Sequence, residues 1–243
     1  MCCLISPAAA ESEPKQSQLG SFVVTTSPAA ILGAEGAARY AAILPADEQI
    51  ELEFTVPKNY DPENPPGLLV YISPSKSGHI PRGWGRLTSS RNLIWVAANR
   101  SGNQVQVARR ITYALMAVGL ADDRYEIDSK RIYLAGFSGG ARVCGLLAPS
   151  YPGVFKGAIY IGGAEVWGPE DTPPNLATMQ GNRYAFLVGS EDDNRRTALS
   201  VREKYTQAGL SNTMMKIIRR MGHSLPEARH MIAALDYLDG ADK

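Results

Sequence analysis

Residues Arg131 to Gly145 read RIYLAGFSGGARVCG, and the fold follows from how this stretch divides. Ile132-Tyr133-Leu134-Ala135 is a short apolar run of strand type, and Val143, Cys144, Leu146 and Leu147 follow at helical spacing. Between them lies Gly136-Phe137-Ser138-Gly139-Gly140, a G-x-S-x-G turn. A serine at the apex of a sharp strand-to-helix turn is held in a strained backbone conformation with its hydroxyl exposed. The positions two before and two after it must be small, because strand and helix pass close together there. The N–H of Gly139 then falls at a helix N-terminus, where it can donate to an oxyanion. In a chain with 23 glycines the bland alternative is an ordinary serine in a glycine-rich turn. The strand before and the helix after favour a nucleophile.

A chain of 243 residues, 44% hydrophobic and 20% charged, suits one α/β domain with a full core. That domain is expected over residues 19–243, with 1–18 a flexible tail or the remnant of a leader. The net charge is +1 with both signs interspersed, which points to no nucleic-acid or anionic-membrane partner. No apolar run is long enough to span a bilayer, and no solenoid repeat is visible. Cys2, Cys3 and Cys144 make neither a disulfide framework nor a metal-ligand spacing, and Cys144 reads as a small core residue. Met1 to Ala10 resembles the tail of a signal peptide with Ala8-x-Ala10 as its cleavage site, but lacks the charged start. The chain is therefore read either as exported or as cytoplasmic with a polar tail.

Working outward from the serine, Phe22-Val23-Val24, Ala37 to Leu44 and Ile50 to Val56 read as strands, the last alternating as a half-buried antiparallel strand does. Leu68 to Ile72, Leu93 to Ala98, Gly157 to Ile161, Tyr184 to Val188 and Met214 to Ile218 are further strands. Of these, the runs 68–72 and 93–98 are continuously apolar, as central parallel strands covered on both faces are. Asn103 is placed to cap a helix built on Ala108, Ile111, Leu115 and Val118. Ala198, Val201, Tyr205 and Ala208 mark a helix stopped by Gly209. Ser224-Leu225-Pro226-Glu227 reads as a capping box opening a final helix. Strands alternating with helices after an antiparallel start predict a mostly parallel, doubly wound sheet. Active groups then belong at the carboxyl ends of its strands.

A serine hydroxyl needs an adjacent base, itself oriented by a third group. Of the three histidines, His79, His223 and His230, only His223 lies in the turn between the last strand and the last helix. The carboxylate is expected at the end of the preceding strand, where Glu191, Asp192 and Asp193 all stand. The order serine, acid, histidine is that of α/β-hydrolases. Residues 65–240 resemble that superfamily, and within it the esterases of the feruloyl esterase, acetylxylan esterase and polyhydroxyalkanoate depolymerase type. Tyr125-x-Ile127-Asp128-Ser129-x-Arg131-Ile132-Tyr133-Leu134 leading into Gly136-Phe137-Ser138 is similar to their IDPxRIYxxGxSxGG run. Tyr151-Pro152 with Phe155, Gly189-x-x-Asp192 and Gly222-His223 resemble further motifs of theirs.

The resemblance implies an α/β-hydrolase fold, and the roughly 20 residues between the strands ending at Ile161 and starting at Tyr184 are too few for a large cap domain. It implies a carboxylic-ester hydrolase in which Ser138 is nucleophile, His223 base and Asp192 the orienting acid, with no cofactor or metal. Its substrate would be a small-molecule or polysaccharide-linked ester. One departure stands out: where such esterases carry His-Gly after the third strand, Ile72 is followed here by Ser73-Pro74-Ser75. Pro74 has no N–H, so the oxyanion donors are expected to be Gly139 and Ser75 or a neighbour. Trp84 and Trp167 are candidate walls of an acyl or aryl pocket, with plain packing the alternative for Trp84. A peptidase or acyltransferase with the same triad, or a noncatalytic binding protein of this fold, are the rival readings.

Overall fold

The computed structural model describes residues 18–167, 172–173 and 175–241, so the leader-like start with Cys2 and Cys3 lies outside the described residues. Strands β1 (Gly20–Thr26), β2 (Ile50–Val56), β3 (Gly67–Ile72), β4 (Leu93–Ala98), β5 (Ile132–Phe137), β6 (Gly157–Ile161), β7 (Arg183–Gly189) and β8 (Thr213–Ile218) form one sheet. Their order is β1-β2-β4-β3-β5-β6-β7-β8. β1 pairs antiparallel with β2 and β2 with β4, and every later pairing is parallel. The mostly parallel sheet with an antiparallel start is the architecture the strand pattern predicts.

The continuous apolar runs have the reason expected of them. Leu68, Val70 and Ile72 face one core with helices α3 (Val107–Arg124), α4 (Gly139–Ser150) and α6 (Arg195–Gln207). Leu69 and Tyr71 face a second core with α2 (Arg86–Ser90) and α7 (Ala228–Leu238). A strand covered on both faces has no side on which to place polar residues. Cys144 lies in the first core, where burial pushes its thiol pKa far up, as befits a packing residue. Among the described residues, no helix is long and apolar enough to cross a membrane.

Three local readings are corrected. Ala37 to Leu44 is not a strand: α1 (Pro28–Ala38) ends within it, and turns follow. Ser27 caps that helix by accepting the Ala30 N–H at 3.3 Å, and Pro28 stands in its first turn. β2 is nearly all buried rather than half-buried, because its polar residues have partners. Thr55 Oγ1 lies 3.0 Å from Ser21 Oγ, and the Glu53 carboxylate lies 2.5 Å from His79 Nδ1. Helices α3 and α7 start after Gln106 and Glu227 without side-chain caps, so neither Asn103 nor Ser224 caps a helix. Between β6 and β7, the described residues hold one short helix, α5 (Leu176–Met179).

Candidate active site

Ser138 sits between β5 and α4 with φ 54° and ψ −119°, a left-handed conformation that costs a non-glycine residue on the order of 1–3 kcal/mol. Its N–H donates to Ile161 O at 2.8 Å, tying the turn to the end of β6. The glycines around it are small for a steric reason. A Cβ on Gly136 would stand 2.5 Å from Gly140 C, and one on Gly140 would stand 1.8 Å from Ile72 O. Strand, turn and helix therefore close only without side chains at these two places. Gly140→Ala is expected to lower stability by about 1–3 kcal/mol through overpacking, read as a fall in Tm. An unchanged Tm would mean that the end of β3 yields freely.

Two loops bring partners to this serine. His223, after β8, places Nε2 2.9 Å from Ser138 Oγ. Its Nδ1 lies 3.0 and 3.1 Å from the two carboxylate oxygens of Asp192, in the loop after β7. The Asp192 side chain is 0% exposed and also accepts the Asn194 N–H at 2.8 Å. A buried carboxylate so held is fixed in orientation. Phe137 stacks on the His223 ring at 4.9 Å and holds its plane. Serine, histidine and aspartate thus form one hydrogen-bonded chain at the carboxyl ends of β5, β7 and β8.

Of the other acids, Glu191 and Asp193 are exposed. Asp193 does not cap α6: the N-cap is Asn194, without a side-chain cap bond. Sequence reasoning passed over Asn194. Its amide donates to Gly162 O at 3.1 Å and lies 3.3 Å from His223 Nδ1, bracing the acid loop against the end of β6. His230 is partly buried in α7, where burial first and nearby Lys216 and Arg229 next hold its pKa down. His79 is separate from the serine's partners and belongs with Glu53.

Gly139 N–H is in the first turn of α4, where no intrahelical acceptor exists for it. Ser75 stands across the end of β3, and its N–H donates to Ser73 Oγ at 3.1 Å while the two hydroxyls lie 2.9 Å apart. A cleft of about 430 Å³ opens at Phe137, the residue before the serine, its wall including Tyr71, Ser75, His79, Ile80 and Leu225. Neither Trp84 nor Trp167 lines this cleft, and Trp84 takes the packing role that was its alternative. Trp84 is 2% exposed, edge-on to Tyr71 and Trp95, with Nε1 donating to Pro226 O at 2.9 Å. Trp167 is 6% exposed and packs on Tyr205. Each satisfies the core, and the cleft is left to smaller side chains.

No protein-family model matches the chain. It is 34% identical over 120 residues to feruloyl esterase B of Thermothelomyces thermophilus, a match over 47% of this chain and 36% of the relative. Among solved structures it superimposes on a protein described as a dipeptidyl aminopeptidase IV from Bacteroides ovatus. There the TM-score is 0.64 at 16% identity, over 92% of this chain and 36% of that one. It superimposes also on the feruloyl esterase module of Clostridium thermocellum, solved with sinapinate. That TM-score is 0.60 at 13% identity, over 95% and 92% of the two chains. The chain thus spans about a third of the length of the first two relatives. A feruloyl esterase appears in both kinds of comparison.

Proposed function

We propose that this chain, an α/β-hydrolase by fold, is a serine carboxylic-ester hydrolase working through an acyl-enzyme. The observation that carries the reading is the unbroken chain from Ser138 Oγ through His223 to Asp192, with links of 2.9 and 3.0 Å, starting at a strained serine. Ser138 Oγ attacks the ester carbonyl, and His223 Nε2 takes the hydroxyl proton, then returns it to the departing alcohol. Water then repeats the sequence on the acyl-enzyme. Asp192 accepts a hydrogen bond from Nδ1–H, which keeps the proton on Nδ1 and leaves Nε2 free to act as base. Gly139 N–H holds the developing oxyanion, and the second donor is Ser75, whose N–H would exchange its bond to Ser73 Oγ for one to the substrate. The chemistry needs no metal or cofactor.

The acyl or alcohol portion is assigned to the cleft beside Phe137, whose lining combines apolar Tyr71, Ile80 and Leu225 with polar Ser75, Ser77 and His79. Similarity to two feruloyl esterases makes esters of aromatic acids, free or linked to polysaccharide, the first class to try. The test joins labelling by a fluorophosphonate probe with hydrolysis of p-nitrophenyl esters of graded acyl length, a hydroxycinnamate ester and a peptide amide. Labelling confined to Ser138 with ester turnover is the expected result. Labelling without ester turnover, but with amide cleavage, would make the chain a peptidase. No labelling at all would reduce it to a binding protein of this fold.

A further inference from the structure

Arg110 lies in the first turn of α3, is 4% exposed, and makes no ion pair among the described residues. Its fork donates only to backbone carbonyls: Nε to Ser101 O at 2.9 Å, Nη2 to Ser73 O at 2.9 Å and Nη1 to Gly139 O at 3.3 Å. Burying a cation without a carboxylate is costly, and packing alone would be met by an apolar side chain such as Met116 or Ala117 on the same helix. The three carbonyls explain the cation. They belong to the loop after β3, the loop between β4 and α3, and the residue after the serine.

These segments nest closely on one another. Asn103 Oδ1 occupies the space where a Gly139 Cβ would stand, 2.2 Å away, and Asn103 N–H donates to Pro74 O at 3.0 Å. Gly102 packs on Ser75 so closely that a Cβ would fall 2.9 Å from its carbonyl carbon. Ser73 O belongs to the residue two before Ser75, and Gly139 O to the residue that carries the other proposed donor. Only a planar fork with several donors reaches both while also holding Ser101. We propose that Arg110 is the positioning residue of the oxyanion hole, clasping the loop after β3 to the first turn of α4. Fixing the Ser73 carbonyl orients the Ser73-Pro74 peptide and so sets where Ser75 stands. Fixing the Gly139 carbonyl restricts how far the first turn can tilt. The role rests on the esterase reading above, whereas the clasp itself does not.

Arg110→Lys keeps the charge and loses the fork, and Arg110→Gln loses both. Arg109→Gln removes a neighbouring cation that instead pairs with Glu48 on the outside of α3. In both Arg110 variants kcat should fall about 10²-fold, the cost of weakening an oxyanion donor, with KM changed by less than about threefold. Affinity for an ester-derived trifluoromethyl ketone, which forms a tetrahedral adduct with the serine, should fall in parallel with kcat. Amide hydrogen exchange should quicken over residues 73–77 and 139–142 and not elsewhere. Arg109→Gln should match the parent in every readout. Folded Arg110 variants with parental kcat would overturn the proposal, as would a loss of kcat without loss of ketone affinity. Exchange raised evenly along the chain, or failure of both variants to fold, would make Arg110 a general fold residue and overturn it equally. A parent chain that hydrolyses no ester would count against the esterase reading, and the exchange pattern would then decide the clasp alone.

Discussion

Ser138→Ala is expected to lower kcat on any ester the parent cleaves by about 10⁶, or roughly 8 kcal/mol of barrier. The change removes one oxygen, and with it the covalent route. What remains is the smaller catalysis of a water molecule held beside His223 and the oxyanion donors. Folding should be untouched, because the Ser138 N–H bond to Ile161 O belongs to the backbone. Ser138→Gly separates strain from chemistry. It should be equally inactive, yet more stable than Ser138→Ala by about 1 kcal/mol, since glycine adopts a φ of 54° without the Cβ clash. Melting curves of the two variants check the strain, and single-turnover assays check the chemistry. Parental hydrolysis by Ser138→Ala would remove the serine from the mechanism.

The serine was legible in the sequence because its constraint is local. A turn this sharp requires glycine at positions 136 and 140, and it requires an apolar strand before and an apolar helix face after, all within 15 residues. His223 and Asp192 were legible one level up, through the rule that active groups gather at the carboxyl ends of parallel strands. Local pattern failed where apolar composition fits two structures. Ala37 to Leu44, with Tyr40, Ile43 and Leu44, is apolar enough to pass for a strand, and the deciding signal was Ser27-Pro28, a cap followed by a first-turn proline. Trp84 was open between two roles for a related reason: an indole packs a core or walls a pocket equally well, and only the surrounding chain decides. Arg110 was out of reach altogether. Its acceptors are backbone carbonyls 9, 29 and 37 residues away, and a backbone carbonyl leaves no mark in a sequence.

Asp192→Asn is expected to fold normally and lose about 10⁴ in kcat, near 5 kcal/mol, while Asp193→Asn stays fully active. The geometry says why the amide fails. Asp192 Oδ1 accepts the Asn194 N–H at 2.8 Å, and only an oxygen can keep that bond, so an asparagine here turns its Nδ2 toward His223. At the place of Oδ2, 3.0 Å from Nδ1, an amide donates where the carboxylate accepted. The imidazole must then hold its proton on Nε2, the atom that faces Ser138 Oγ at 2.9 Å, and the base is blocked without moving. Stability should change little, because both hydrogen bonds of the buried group survive with donor and acceptor exchanged at one of them. Asp193 is exposed and caps nothing, so its change should stay within about 0.5 kcal/mol of the parent. Fluorophosphonate labelling rates provide a second measurement that does not depend on knowing the natural ester. They should drop with Asp192→Asn and hold with Asp193→Asn. An active Asp192→Asn beside an inactive Asp193→Asn would transfer the orienting role to Asp193 and require the loop after β7 to reverse its two aspartates during turnover.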